Sequence, residues 1–535
     1  MSKELLLRDE ALPRLMSGID KLTNAVKSTL GAKGRTVIIG KPGNMAHITK
    51  DGVTVAEAVH LKDEIENLGA TIVKEAASKT GDIAGDGTTT ATIIAHSIIS
   101  QGLEAIQKGA NPMDLKIGID KAVQLAVENL KELAQPAKDD QDIYLKIATI
   151  SANNDPEVGK IIAEVFQATG KDGVITVEES KSYDTSISII DGMQVDGGYL
   201  SPYFITNQSK KTCELINPHI ILCSGNITMM KDVVPIIDKI ANDHGERGEQ
   251  FIRPIVFIAD SVREEALYTL VTNHIQNRIH VCAVAAPSWG DTRKAIMEDL
   301  AAITGATYIA EEKGLKLETA ELTHVGGCEK IIIDEGKTII YKGKGSQDAV
   351  ADRLNMLKEE IETVKDERKK TEAKRRYARL QNGVAIVYVG GATQIEVDEK
   401  KDRIDDAICA TRATAEEGYV AGGGITHMTL SNMMDDHQAA CKDESTGWNI
   451  VANALTAPLR QMLENAGVNY QSFLFKLIDE EYGYGYNMKT DEYEDLFDAG
   501  VIDPAKVARV TLEHAASVAG IFLTTECVIG DHTDR

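Results

Sequence analysis

The sequence predicts a multidomain α and α/β protein, with a mainly helical part split between the two ends of the chain and an α/β block inserted in the middle. Three observations carry this reading. With 535 residues, the chain has room for about three to four domains of ordinary size. Short β-rich runs are concentrated in the middle, while both ends repeat apolar residues every three to four positions. The composition, 43% hydrophobic and 26% charged with 44 Gly against 12 Pro, is that of a globular chain with Gly-punctuated turns and not of a disordered one.

Taken in order, Leu12, Leu15, Ile19, Leu22 and Val26 predict a helix over 10–30. TVIIGKPGNMAHIT (36–49) predicts a hairpin around a Lys-Pro-Gly turn, with apolar edges that call for a partner strand. From 61 to 133 the period is helical again, and Asn111-Pro112 opens a new helix. Between 185 and 344 the runs TSISII, IILC, PIVFIAD, IHVCAVAAP, TYIAEE and KIIIDEGKTIIY alternate with helical stretches, which predicts α/β architecture with a mainly parallel sheet. The segment 349–380 is dense in mixed charge without an a/d seam and predicts one solvated helix, not a coiled-coil arm. After GVAIVYVGG (383–391) the helical pattern returns, so the β-rich middle is an insertion into a discontinuous domain.

A net charge of −24 disfavours non-specific binding to nucleic acid or anionic membranes. The seven cysteines are scattered and never at CxxC spacing, which predicts free thiols in a reducing compartment. The N-terminal segment is charged throughout and no run of apolar residues is long enough to span a bilayer, so a soluble, cytoplasmic protein is expected.

Three Gly-rich turns are candidates for chemistry: Thr29-Leu30-Gly31-Ala32-Lys33-Gly34-Arg35, Gly85-Asp86-Gly87-Thr88-Thr89-Thr90 and Gly422-Gly423-Gly424. Glycines let backbone amides approach an anion, and a helix N-terminus adds free N–H groups and its dipole. In the second turn the threonines add hydroxyl donors and Asp86 a hard oxygen ligand, a combination suited to a triphosphate–Mg²⁺ complex although no P-loop spacing is present. The alternative for each is an ordinary turn or helix cap, and Asp51 in Lys50-Asp51-Gly52 equally suits a hairpin turn. His47, His96 and His274 lack partners at metal-ligand spacing and read as structural or surface residues. No nucleophile elbow supports a hydrolase or protease. In the middle block, the aromatic loop 198–204 and the amphipathic stretches around Val233–Ile240 and Leu267–Val271 are either core or an exposed apolar groove.

The segments TLGAKGR, ITKDGVTVA, AGDGTTTAT, NPMDL, ISANND, GVITVEE, GMQVDGGYLSPYF, ATRATAEEGYVAGGG, APLRQ, YGYN, GVIDPAKV and AASVAGIFLTTEC resemble the group I chaperonin (GroEL) family. They follow its order at nearly its spacing, over about residues 10 to 530. The resemblance implies an equatorial ATP-binding domain (1–133 and 417–535), an intermediate domain (134–190 and 385–416) and an apical substrate-binding domain (191–384). Gly192, Gly383, Pro136 and Gly418 would be the hinges. It implies that Thr29, Leu30, Gly31, Lys50, Asp51, Gly87, Thr88, Thr89 and Thr90 contact ATP, with Asp51 also at the reacting end. Asp86 would hold Mg²⁺, K⁺ would assist, and Gly423, Asn487 and Asp503 would meet the adenosine. Asp406 would position the attacking water; its neighbour Asp405, about 100° round the helix, would not reach.

Tyr199, Tyr203, Phe204, Val234, Ile237, Leu267 and Val271 would bind non-native polypeptides and a co-chaperonin lid. The subunits would form a seven-membered ring, single or stacked, with the hairpin 36–49 pairing to a neighbour. The alternative from another class is a divergent paralogue that acts as a binding scaffold without a working ATPase cycle. Departures from the family pattern are Ala32, Met488, Lys489, Thr272, extra residues in 242–253, Glu104 and Lys442 with their charges reversed, Arg460 facing Asn469, and a chain that stops at 531–535 without a Gly-Met-rich tail.

Overall fold

Leu15, Ile19, Leu22 and Val26 close one face of the first helix, Arg8–Val26, which packs on the helix Glu64–Ala84. The structure is a computed structural model that describes residues 3–40, 47–137, 140–152, 154–170, 173–180, 182–190, 192–208, 210–246, 253–364, 366–381, 383–434, 439–478 and 480–531. The turn of the 36–49 hairpin, residues 247–252 of the extra 242–253 segment and the last four residues lie outside these. The chain forms two compact units, Met1–Glu164 with Gly391–Arg535, and Val165–Gly390.

The first unit is mainly helical. Its central helix, Ala505–Leu523, buries Ala508, Leu512, Ala515, Ala519 and Phe522 against the helices Glu64–Ala84, Thr88–Gln107 and Pro112–Leu133. The stripe of small residues lets these helices approach closely. Asn111 caps Pro112–Leu133, its side chain accepting from Met113 N–H at 2.9 Å, as its Asn-Pro pair predicts. The two chain ends are joined: strand Lys3–Leu7 runs antiparallel to Cys527–Asp531. Val37–Ile39 and His47–Thr49 pair as the expected antiparallel hairpin, with Ile38 and Ile48 exposed. His96 Nε2 lies at hydrogen-bond distance, 2.8 Å, from Asp20 Oδ1.

The second unit is built on a mixed sheet, and here the expectation of a mainly parallel one is corrected. His219–Cys223, Ile255–Ala259 and Val281–Ala285 are parallel, linked by the crossover helices Met230–Glu246 and Glu264–Ile275. Tyr308–Ile309 also joins His219–Cys223 in parallel. The remaining pairings, among Gly326–Ile333, Lys337–Gly343, Gly192–Asp196, Cys213–Ile216 and His219–Cys223, are antiparallel. Tight returns such as Asp-Glu-Gly in KIIIDEGKTIIY leave no length for a crossover, so they force antiparallel neighbours. Val384–Val389 is the centre of a separate sheet between Val174–Glu179 and Ser186–Ile190.

The single helix expected over 349–380 is two helices, Gln347–Thr363 and Glu367–Gln381, packed on each other. Asp366 restarts the second, accepting from Arg368 N–H at 2.9 Å. The seven cysteines are free; Cys213, Cys223, Cys282 and Cys328 are buried, and burial pushes Cys223 and Cys328 up to about 12. No described helix is long and apolar enough to cross a membrane.

Candidate nucleotide site

All three Gly-rich turns open onto one cavity of about 330 Å³ inside the helical unit. The second turn forms its floor. Gly85 ends the helix Glu64–Ala84 in the left-handed region (φ 74°), and Gly87 (φ 85°) starts Thr88–Gln107. Gly87 has no side chain to cap with, so the first amides of a long helix stay open to an external acceptor. Thr88, Thr89 and Thr90 line the cavity beside them. Gly52 sets the spacing of the opposite wall: a Cβ there would lie 2.0 Å from Thr89 Oγ1.

Asp51 is the N-cap of the helix Gly52–Ala58, not a hairpin residue. It accepts from Val53 N–H at 3.1 Å, Thr54 N–H at 2.8 Å and the Thr54 hydroxyl at 2.6 Å, and still lines the cavity. Asp86 accepts from Gly87 N–H at 2.5 Å. Burial and the charge of Asp51 hold its carboxyl above the ordinary range.

Asp406 enters from the helix Gln394–Glu417. That helix sits so close to the floor that a Cβ on Gly85 would lie 2.0 Å from Cys409 Cβ. Burial, then the charges of Asp86, Asp51, Asp402 and Asp405, push Asp406 up to about 9. As helical geometry requires, Asp405 is exposed and outside the cavity lining. One turn before Asp406, Arg403 also lines the cavity, held by Asp155 at 3.3 Å and Glu399 at 2.7 Å.

The third turn brings Gly423 (φ 61°) and Gly424 (φ 81°) to the other side. Asp503 reaches the same wall through the pairing of Tyr419–Ala421 with Ile502–Pro504. Its carboxyl is raised to about 7 by burial and by Asp86.

Thr29, Leu30, Gly31 and Lys50 line the cavity as expected, although the Thr29 hydroxyl donates to Val26 C=O at 2.8 Å. Asn487 lines it too, but its amide is used within its own hairpin, donating to Glu494 at 2.8 Å and accepting from Lys489 N–H at 3.0 Å. Next to the lining residue Ala32, Lys33 pairs with Asp491 at 2.9 Å. Sequence reasoning missed Arg403, Met462, His427 and Thr511. The first was readable one helical turn from Asp406; the others lie on helix faces that read as core.

Among the described residues no group of three or more His, Cys, Asp or Glu is placed to hold a metal. The donor set still fits Mg²⁺, which binds through one or two carboxylates and takes its other ligands from phosphate and water. Asp86, half-buried and crowded by other carboxylates, is the residue that would hold it.

In the sheet unit, the expected polypeptide-binding residues divide. Tyr203 is 68% exposed and Val234 also faces solvent, whereas Tyr199, Leu267 and Val271 are partly buried against the core. Phe204 (0% exposed) and Ile237 are core residues; Phe204 packs edge-on to His274. Tyr268 (74% exposed) and Ile275, on the helix Glu264–Ile275, are exposed apolar residues that sequence reasoning missed. The Thr272 hydroxyl donates to Tyr268 C=O at 2.8 Å.

Comparison with known proteins agrees with this architecture. The chaperonin gp146 from bacteriophage EL 2 (Pseudomonas aeruginosa), crystallised in the presence of ATP-BeFx, is similar in fold at TM-score 0.75, with 21% identity and 99% of each chain covered. A second crystal form of that protein gives TM-score 0.66 and 20% identity, again over 99% of each chain. The family model of the TCP-1/cpn60 chaperonins matches residues 22–533. The match runs through the floor of the cavity, the helix that carries Asp406 and the inserted sheet unit alike, and the chain belongs to the TCP-1/cpn60 chaperonin family.

Proposed function

We propose that this chain is an ATP-driven protein-folding chaperone of the group I type, whose cavity binds and hydrolyses Mg-ATP with K⁺ present. The observation that carries this is the meeting of an uncapped helix N-terminus, Gly87–Thr90, with Asp86 and Asp406 in one cavity. The amides and hydroxyls of Thr88, Thr89 and Thr90 would donate to phosphate oxygens, with Lys50 adding positive charge at the cavity wall. Bound Mg²⁺ would neutralise phosphate charge beside Asp86. Asp51, clamped by its own helix, offers a fixed carboxylate edge. With bound Mg²⁺ offsetting the neighbouring carboxylates, Asp406 would lose its proton, and its carboxylate would accept a hydrogen bond from the attacking water and orient it. Asp503 and Gly423 would take the ribose side.

Burial and mutual repulsion oppose the charges of Asp86, Asp406 and Asp503, so Mg²⁺ arriving with the nucleotide would relieve that repulsion. Such differential binding is what shifts a chaperonin between conformations. In the sheet unit, Tyr203 and Val234, with Tyr268 beside them on the next helix, would present the apolar surface to non-native polypeptides or a co-chaperonin lid. The exposed Ile38 and Ile48 of the hairpin and Leu5, Leu7 and Ile529 of the terminal strands would meet neighbours in a seven-membered ring. The three-domain division, with hinges at Pro136, Gly192, Gly383 and Gly418, belongs to this reading. Around Gly418, Gln135 and Tyr419 exchange both backbone hydrogen bonds, so the two crossing segments are tied together.

Asp406→Ala tests the reading: it should bind ATP and hydrolyse it at least a hundredfold more slowly. Unchanged turnover would remove Asp406 from the mechanism. A second reading, a scaffold without an ATPase cycle, draws on the locked amide of Asn487. Absence of hydrolysis by the wild type at saturating Mg-ATP and K⁺ would favour it.

A further inference from the structure

Two of the stretches that line the cavity are far apart in sequence: residues 29–32 of the first Gly-rich turn, and residues 486–489 of the hairpin formed by Tyr484–Asn487 and Glu492–Asp495. The first is tied to the helix Ala457–Ala466 by Asn465, whose side-chain amide donates to Lys27 C=O and Leu30 C=O, both at 3.0 Å. It is tied to the second through Asp491. One carboxylate oxygen of Asp491 accepts from Lys33 Nζ at 2.9 Å, and the other accepts from the Tyr486 hydroxyl at 2.9 Å. Lys33 directly follows the lining residue Ala32, and Tyr486 itself lines the cavity. The bonds from Lys33 and then Tyr486 draw the Asp491 carboxyl below its ordinary range. The Tyr486 ring also meets Tyr493, with 5.0 Å between centroids, so the side chain is held at its tip and along its body.

The backbone does not dictate the residue type at 491. Asp491 has φ 62°, in the left-handed region, and its N–H closes the turn by donating to Asn487 C=O at 2.8 Å. Glycine or asparagine suits that conformation at least as well. What a carboxylate adds is a charge and two acceptor oxygens, and both oxygens are in use.

We propose that Asp491 is a positioning residue of the nucleotide site: by holding Lys33 and Tyr486 at once it fixes the spacing of the two lining stretches and slows the release of bound nucleotide. The inference rests on the nucleotide reading above. Lys33 and Asp491 are both exposed, so the network competes with water and its effect is severalfold, not orders of magnitude.

The test is release of radiolabelled Mg-ADP from the full chain into excess unlabelled Mg-ADP. Asp491→Ala should speed release about 3–5-fold and Lys33→Met about 2–3-fold. Adding Lys33→Met to Asp491→Ala should change nothing further, because both act through one carboxylate. Asp491→Asn removes the charge and still suits the left-handed backbone, so its faster release cannot come from a broken turn. Asp491→Glu, which keeps the charge and both oxygens, should stay within about twofold of wild type. Unchanged release in the alanine and asparagine variants, or effects of Lys33→Met and Asp491→Ala that simply multiply, would overturn the inference while leaving the nucleotide reading intact. A wild type that binds no Mg-ADP would overturn both.

Discussion

Arg376 grips Asp299 with two parallel hydrogen bonds, Nε to Oδ2 at 2.7 Å and Nη2 to Oδ1 at 2.8 Å, around a carboxylate that is 0% exposed. Arg353 adds a third at 2.6 Å, and both guanidinium groups also donate to Ala295 C=O. The charged segment that reads as a solvated surface helix is thus pinned to the helix Gly290–Thr304 from both of its halves. Removing one partner strands a buried charge, so Arg376→Met should cost the sheet unit about 3–5 kcal/mol. Denaturant unfolding of the full chain checks this. A loss below 1 kcal/mol would mean that the triad is incidental to stability.

Gly85 is required twice over, by its φ of 74° and by the 2.0 Å approach to Cys409. Gly85→Ala should push away the helix that carries Asp406 and lower ATP turnover tenfold or more. Adding Cys409→Gly removes the clash and should recover part of the activity, leaving the left-handed strain of about 1–2 kcal/mol. Equal rates in the single and double variants would show that contact with Cys409 does not set the position of Asp406.

Asp406 carries a cost in the nucleotide-free state, because burial and neighbouring carboxylates oppose its charge. Asp406→Asn removes that cost. Its melting temperature without nucleotide should rise by a few degrees while turnover falls, a trade of stability for activity at one residue. Differential scanning calorimetry beside an ATPase assay tests both halves, and a lower melting temperature would count against the electrostatic account.

His427 titrates at about 4 in the fold against about 6.5 in an unfolded chain. Its neutral form is favoured by folding, so its contribution is fully present above pH 6.5 and is lost as pH falls toward 4. By pH 5.5 the loss is roughly 1.5 kcal/mol. His427→Leu should therefore show less acid destabilisation between pH 8 and 5.5 than the wild type. Parallel melting curves at the two pH values settle it; identical pH slopes would exclude His427 as the source.

Tyr203 and Tyr268 are exposed, whereas Phe204 is buried. Tyr203→Glu or Tyr268→Glu should weaken capture of a denatured test protein severalfold without shifting the unfolding midpoint. Phe204→Ala should instead lower stability by about 3–5 kcal/mol. A light-scattering assay of aggregation suppression, with unfolding curves alongside, separates the two effects.

Much of this was legible in the residues. Helical spacing located the helices that frame the cavity, and the glycine turns located its floor, because φ > 0 and close approach leave few other residues suitable. The mixed sheet was not legible: alternating strand and helix patterns do not distinguish a crossover from a tight return until loop lengths are fixed in space. Nor was the fate of Phe204 beside Tyr203, since adjacent aromatics in one turn carry no signal of which side faces the core. Asp51 was ambiguous for a related reason, as a Lys-Asp-Gly turn and an Asp helix cap begin with the same dipeptide. His427 and Thr511 lie on helix faces that read as core, and only their convergence on the cavity marks them as polar groups without partners.

The pairing of Lys3–Leu7 with Cys527–Asp531 bears on how the molecule is made. During synthesis, all of Val165–Gly390 emerges from the ribosome before the second half of the helical unit exists, so the sheet unit's contacts can be completed early. The helical unit has no such freedom. Its first half must wait while more than a hundred further residues are added, on the order of ten seconds or more at ordinary elongation rates. Its central helix, Ala505–Leu523, and its closing strand are translated only after the whole sheet unit. A nascent chain of this protein therefore keeps the apolar faces of its first helices uncovered for as long as the sheet unit is being made, the kind of exposed surface that favours aggregation.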